Sequence, residues 1–136
     1  MSSTEQTLSI VKPDAVERNL TEDIKNIFIK NDLKILKSKK IHILKEEAAE
    51  FYKVHQAKPF YDDLCTYLAS GPIFVMVLEG NSAVALNRKI MGATNPKDAG
   101  PETIRKLYGI SIDKNSVHGS DSVENAKIEI DFFFKI

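Results

Sequence analysis

At 136 residues, with 43% hydrophobic and 28% charged side chains, the chain has the size and composition of one soluble globular domain, residues 1–136, with a proper apolar core. Nineteen Lys and Arg balance nineteen Asp and Glu. No global field therefore draws the chain to nucleic acid or to an anionic membrane, and any anion site must come from local placement of basic groups. Cys65 is the only cysteine, which excludes an intrachain disulfide and suits a reducing compartment. The first residues, Met1 to Gln6, have neither a basic nor an apolar leader pattern, and the apolar run from Ile73 to Leu78 is far too short to span a bilayer. A cytoplasmic protein is expected.

Thr7 to Val11 alternates and is rich in β-formers, so it predicts a first strand that Lys12-Pro13 ends. Pro13 suits the first position of a helical turn and Asp14 complements its dipole. Lys12 then stands at a strand's carboxyl end beside a helix start, either solvated or meeting a phosphate. Thr21 is a candidate N-cap for a helix with Ile24, Ile27 and Phe28 on one face, stopped at Asn31-Asp32. The even spacing of Leu33, Ile35, Ile41 and Ile43 predicts a second strand whose lysine-rich middle, Lys37 to Lys40, is a solvated face. Glu46 to Gln56 predicts a helix without a good N-cap, with Ala48, Phe51, Tyr52 and His55 on one stripe. A second helical pattern after Pro59 puts Phe60, Leu64, Tyr67 and Leu68 on a common face and holds Cys65 as a buried or half-buried thiol.

Gly71-Pro72 breaks that pattern, and Ile73 to Leu78 is the best candidate for a central strand buried on both faces. Ser82 is placed to cap the next helix, with Ala83, Leu86 and Ile90 inward, Arg88 off the stripe and Gly92 as the stop. From Gly92 to Val117 the chain is dense in Gly, Asn, Pro, Asp and Ser, with helical turns expected only around Thr103 to Leu107. Connections this long in compact domains are usually functional or disordered, and because this one holds Thr94 and Arg105 and delivers Asn115 and His118, a functional one is expected. A last helix from about Ser122 to Phe133 would turn Val123, Ala126, Ile130 and Phe133 inward and leave Glu129 on its flank. A carboxylate partly buried there needs a partner, for which a lysine or a backbone N–H would serve. Periodicity supports an α/β two-layer class and goes no further.

The stretch from Asn115 to Ser122 carries the most chemistry. His118 is followed by Gly119, which has no Cβ to keep a ligand from the backbone. Ser120, Asp121 and Ser122 can each cap the helix that begins there, and a helix N-terminus favours anions. Neither a P-loop nor a dinucleotide-binding glycine pattern occurs, and no His, Cys and carboxylate cluster has structural-metal spacing, so no protein-held metal is expected. His42 alternates with Ile41 and Ile43 and belongs on a strand surface.

Asn115-x-x-His118-Gly119-Ser120-Asp121-Ser122 resembles the signature of the nucleoside diphosphate kinases. The resemblance extends through Ile10 to Ala15, Lys58 to Tyr61, Ser70 to Pro72, Met91 to Pro96 and Thr103 to Arg105, blocks that stand in the family's order. It implies a ferredoxin-like fold, a four-stranded antiparallel sheet covered by helices. It also implies transfer of the terminal phosphate of a nucleoside triphosphate to another nucleoside diphosphate by a ping-pong route through a phosphohistidine at His118. Lys12, Arg88, Thr94 and Arg105 would hold the phosphates, with Lys12 near the transferred group and Tyr52 orienting it. Phe60 would lie against the base and Asn115 would bond the sugar. Ser120 and Glu129 would fix the ring of His118, and Mg2+ would be held through the nucleotide. The family also implies a homo-oligomer, a tetramer or a hexamer. Asn19 and Glu102 stand where the family often has glycine, and Asp113-Lys114 where Gly-Arg is frequent. Two rival classes are a nucleotide-binding or phosphotransfer regulator without turnover and, less favoured by the zero net charge, a nucleic-acid binder.

Overall fold

The computed structural model describes residues 4–53, 56–59, 61–93, 95–110 and 116–134. Its centre is an antiparallel sheet of β1 (Thr4–Val11), β2 (Lys34–Ile41), β3 (Ile73–Asn81) and β4 (Val117–Gly119), in the order β2-β3-β1-β4. The helices are α1 (Pro13–Glu17), α2 (Thr21–Lys30), α3 (Lys45–Phe51), α4 (Tyr61–Leu68), α5 (Ala83–Met91), α6 (Ile104–Tyr108) and α7 (Val123–Phe134). This is the expected ferredoxin-like arrangement, an antiparallel sheet covered by helices.

Alternation along the two central strands divides the core. Val11, Met76 and Leu78 join Ile24 and Phe28 of α2 and Ile90 and Met91 of α5 on one face. Leu8, Ile10, Ile73 and Val75 join Ala48 of α3, Cys65 and Leu68 of α4 and Phe133 of α7 on the other. The sheet with α2 and α5 thus makes the two-layer unit, and α3, α4 and α7 cover its far side. That second cover explains why β3 lacks the polar alternation of a one-sided strand.

β2 is the exposed edge the lysines imply, with a register irregularity between Ile35 and Lys37. The break shifts the pleat, so the Leu33 and Ile43 ends are buried while Leu36 is 36% exposed. Charged side chains along such an edge discourage strand addition by another chain.

Several expected helix boundaries move. Thr21 is not a cap: Leu20 occupies that position with no side-chain cap, because Asn19 turns the chain at φ 59 and the Leu20 N–H donates to the Ala15 carbonyl at 3.0 Å. Asparagine tolerates this left-handed conformation well, which is how it replaces a glycine there. Ser82 stands before α5 but in the left-handed region, at φ 50, and its side chain caps nothing. Glu5 Oε1 instead accepts the Val84 N–H at 3.3 Å, so a neighbouring strand supplies the cap. The helix expected from Glu46 to Gln56 ends at Phe51, with Tyr52 as its C-cap. Its uncapped start is relieved by Glu47, whose carboxylate accepts the Leu44 N–H at 2.9 Å. Val123, expected inward, is 37% exposed, since α7 is docked by Ala126 and Phe133 instead. His55 lies outside the described residues. No helix among the described residues is long and apolar enough to cross a membrane.

Cys65 is buried under the far-side cover, and burial pushes its thiol pKa up. Because the thiolate is the reactive form, a disulfide reagent at pH 8 should modify Cys65 at least about tenfold more slowly in the native protein than in urea. Equal rates in the two conditions would show that this cover does not close over the thiol.

Candidate active site

β4 is the second edge strand and pairs with β1, setting His118 opposite Ile10 and Val117 opposite Val11. The pairing continues past both strand ends, because the Lys12 N–H donates to the Ser116 carbonyl at 2.8 Å. Lys12 and His118 are therefore tied through one short piece of backbone ladder, at the carboxyl end of β1. Lys12 is also the N-cap residue of α1, and its carbonyl accepts the N–H groups of Ala15 and Val16. The residue is 6% exposed, a poor place for a lysine of purely solvating purpose.

After Gly119 the chain enters α7, which returns Glu129 to the histidine. His118 Nε2 lies 3.0 Å from Glu129 Oε1, and Ser120 Oγ donates to the same oxygen at 2.9 Å. Ser120 is itself held, since its Oγ accepts the Leu8 N–H at 3.3 Å and its own N–H donates to the Leu8 carbonyl at 3.2 Å. The carboxylate accepts the Nε2 proton, which fixes the tautomer and leaves Nδ1 with its lone pair. The partner that Glu129 needs is thus an imidazole and a hydroxyl, with no lysine or backbone N–H required.

The capping expected of three residues is divided among them. Ser122 Oγ accepts the Asn125 N–H at 3.0 Å, Asp121 accepts from the Asn125 side chain at 2.6 Å, and Ser120 serves Glu129. The Asn125 amide, with a smaller contribution from Arg88, holds the Asp121 carboxyl below its usual range.

Two aromatic rings fence the imidazole. Phe51 meets it edge-on with centroids 5.2 Å apart, and Tyr52 lies 6.2 Å away at 83°. Tyr52 is buried, and that burial, reinforced by the Glu129 charge, raises the pKa of its phenol well above the ordinary value. Phe51 was legible only as one member of the apolar stripe. Nothing in its sequence context marked it as a wall of the histidine.

The cationic residues converge on the same end of the sheet. Arg105, from α6, is 8% exposed. Its guanidinium donates to the Gly92 carbonyl at 3.0 Å and the Val117 carbonyl at 2.9 Å, pinning both ends of the long connection, and Nε has no partner among the described residues. Burial and the nearby charge of Arg88 pull its pKa down to about 10. Arg88 is exposed, and together with Arg105 it lines a cavity of about 430 Å³ that Met91, Gly92 and Thr103 also border. Two neighbouring guanidinium groups, one of them buried, make a favourable anion site. Phe60, Thr94 and Asn115 lie outside the described residues. Glu102 is not among the residues with positive φ, so at that position the backbone follows a path that an L-residue takes without strain.

Gly119 has a different reason from the one its neighbourhood suggested. A Cβ there would lie 2.3 Å from Asn87 Nδ2 and 2.7 Å from Met91 Cε, so the missing side chain makes room for α5 and not for a ligand. Asn87, which sequence reasoning passed over, is completely buried behind this strand.

A family model described as nucleoside diphosphate kinase matches residues 5–136. The chain is 57% identical over 133 residues to a nucleoside diphosphate kinase of Rhizorhabdus wittichii, covering 98% of this chain and 95% of that protein. A Campylobacter jejuni protein of the same name is 56% identical over 131 residues, covering 96% of both. Among solved structures, the nucleoside diphosphate kinase of Aquifex aeolicus superposes with a TM-score of 0.95 at 40% identity, covering 97% of this chain and 96% of that one. That of Encephalitozoon cuniculi superposes at 0.94 with 37% identity, covering 97% and 90%. The fold and the matched family define a phosphotransferase, and the chain belongs to the nucleoside diphosphate kinase family.

Gly119→Ala should cost about 1–3 kcal/mol in urea unfolding, the usual penalty for overpacking a close contact. An unchanged midpoint would mean that α5 yields freely behind the histidine.

Proposed function

We propose that the chain transfers the terminal phosphate of ATP to other nucleoside diphosphates by a ping-pong reaction, with His118 carrying the phosphoryl group between half-reactions and sustaining nucleoside triphosphate pools in the cytoplasm. The observation that carries this reading is the hydrogen bond from His118 Nε2 to Glu129 Oε1, which leaves Nδ1 as the free nucleophile. In the first half, the Nδ1 lone pair forms a bond to the γ-phosphorus while the bond to the β,γ-bridging oxygen breaks and the nucleoside diphosphate leaves. The Nε2 proton stays on the ring, and Glu129 balances the positive charge that the imidazole gains. In the second half, a terminal β-phosphate oxygen of another diphosphate attacks phosphorus and the N–P bond breaks.

Lys12 would neutralise charge on the transferred group, with Tyr52 orienting it, and Arg88, Arg105 and Thr94 would hold the remaining phosphate oxygens. Asn115 would bond the sugar, and Phe60 would stack on the base. Among the described residues no group of three or more His, Cys, Asp or Glu side chains is placed to hold a metal ion. As the family resemblance implies, magnesium would enter as part of the nucleotide substrate and neutralise phosphate charge. Residues 1–136 would act as one domain. Assembly into a tetramer or hexamer suits the exposed Leu107 and Ile110, apolar side chains of the kind that protein contacts cover.

A coupled assay varying ATP and a second diphosphate should give parallel double-reciprocal lines, and intersecting lines would contradict a covalent intermediate. Glu129→Gln keeps the shape but lowers the acceptor's charge. It should slow turnover roughly 10²-fold, whereas His118→Ala should abolish it. If the two variants were equally dead while folded, Glu129 would have to do more than orient and neutralise. Base selectivity should be weak, because a stacking face carries no hydrogen-bond code. Purine and pyrimidine diphosphates should fall within about two orders of magnitude in kcat/KM, and Phe60→Ala should weaken all of them by roughly 1–3 kcal/mol. A preference of about 10⁴ for one base would require a buried polar reader of its edge.

A further inference from the structure

Behind Lys12 lies a buried carboxylate that the phosphoryl-transfer chemistry does not use. Asp14, in the first turn of α1, is 7% exposed. Its carboxylate accepts from Arg18 Nη2 at 3.2 Å, from Ser116 Oγ at 3.2 Å and from the hydroxyl of Tyr67 on α4. Its N–H donates to the same Tyr67 oxygen at 3.0 Å. Arg18 extends the set with bonds to the Tyr108 carbonyl at 2.5 Å and to Ser116 Oγ at 3.4 Å. One carboxylate thereby joins α1, α4, the end of α6 and the residue just before β4.

Ser116 is the sensitive member. It is fully buried and held at φ 77, a conformation that an L-residue avoids unless its surroundings enforce it. Its hydroxyl is fixed by Asp14 and Arg18, and its carbonyl accepts the Lys12 N–H at 2.8 Å. It is also two residues from His118 on the strand whose register sets the nucleophile. Relaxation of Ser116 toward negative φ would move Lys12 and His118 relative to one another.

We infer that Asp14 is a positioning residue for phosphoryl transfer: by holding Ser116 in its left-handed conformation, it sets the distance between Lys12 and the nucleophilic nitrogen of His118. This rests on the roles proposed above for those two residues. Misplacement of reacting groups by about 1 Å can cost 10²-fold in rate without touching the chemistry.

The test is quench-flow phosphorylation of the full chain by saturating MgATP, read as acid-labile phosphate, with ADP affinity measured in parallel. Asp14→Asn should lower the phosphorylation rate constant at least about tenfold while ADP affinity stays within about threefold. Ser116→Ala, strained at positive φ, should be similarly slow, whereas Ser116→Gly, which accepts that φ freely, should be close to the native rate. In the Ser116→Gly background, Asp14→Asn should add less than about a threefold loss. A native rate in Asp14→Asn, with only a lowered unfolding midpoint, would overturn the inference. So would an undiminished defect in the glycine background, since Asp14 would then act by another route. If Asp14→Asn did not fold, equal rates for Ser116→Ala and Ser116→Gly would overturn it just as well. Failure of the native chain to form acid-labile phosphate would strike the His118 reading itself, and is distinguishable from all of these.

Discussion

The hydrogen bond between His118 and Glu129 is the interaction on which the rest of the site depends. A free imidazole exchanges its proton between two nitrogens and turns about two torsions. Here the carboxylate selects one tautomer, and Phe51 and Tyr52 restrict the ring. The bond needs an edge strand on β1 to carry the histidine and a helix docked by Ala126 and Phe133 to return the carboxylate. Ser120, anchored to both backbone groups of Leu8, holds Glu129 in place. Loss of any of these supports leaves a histidine on a strand with no means of presenting one nitrogen.

Around that pair the titratable groups are perturbed by burial and by one another. Burial raises the pKa of Tyr52, while Arg105 is buried with its ionisation opposed by desolvation and by Arg88. Under the proposed function, a phosphate between these guanidiniums would relieve their repulsion and accept hydrogen bonds from them. Two backbone carbonyls hold the Arg105 guanidinium in place. They also join the entry and exit of the long connection, so one side chain is both an anchor for the loop and a source of charge.

Much of this was legible in the sequence because periodicity and turn chemistry agreed. Ile73 to Leu78 read as a buried central strand, Gly92 as the stop of α5 at φ 86, and Ser122 as a cap of α7. The gathering of Lys12, Arg88, Arg105 and His118 was not legible from spacing, since they come from four separate segments. It required the resemblance of the six blocks to a known family. Local propensity failed where tertiary partners supplied what the sequence seemed to offer nearby. Glu5 caps α5 in place of Ser82, and the Leu20 turn displaces Thr21. Gly119 was misleading for the same reason, because the neighbour that excludes a Cβ, Asn87, is 32 positions away. Asp14 read as a dipole-complementing first-turn acid, and only the fold shows it to be a buried hub joined to Ser116 and Tyr67.

The central claim is that one nitrogen of one histidine carries the phosphate. Incubation with ATP alone, followed by proteolysis and mass spectrometry at neutral or alkaline pH, tests it most directly. One phosphate per chain should appear on His118, and it should be lost on brief acid treatment as an N-linked phosphate is. A phosphate found on His42 or His55, or an acid-stable one on Ser120 in place of it, would contradict the account.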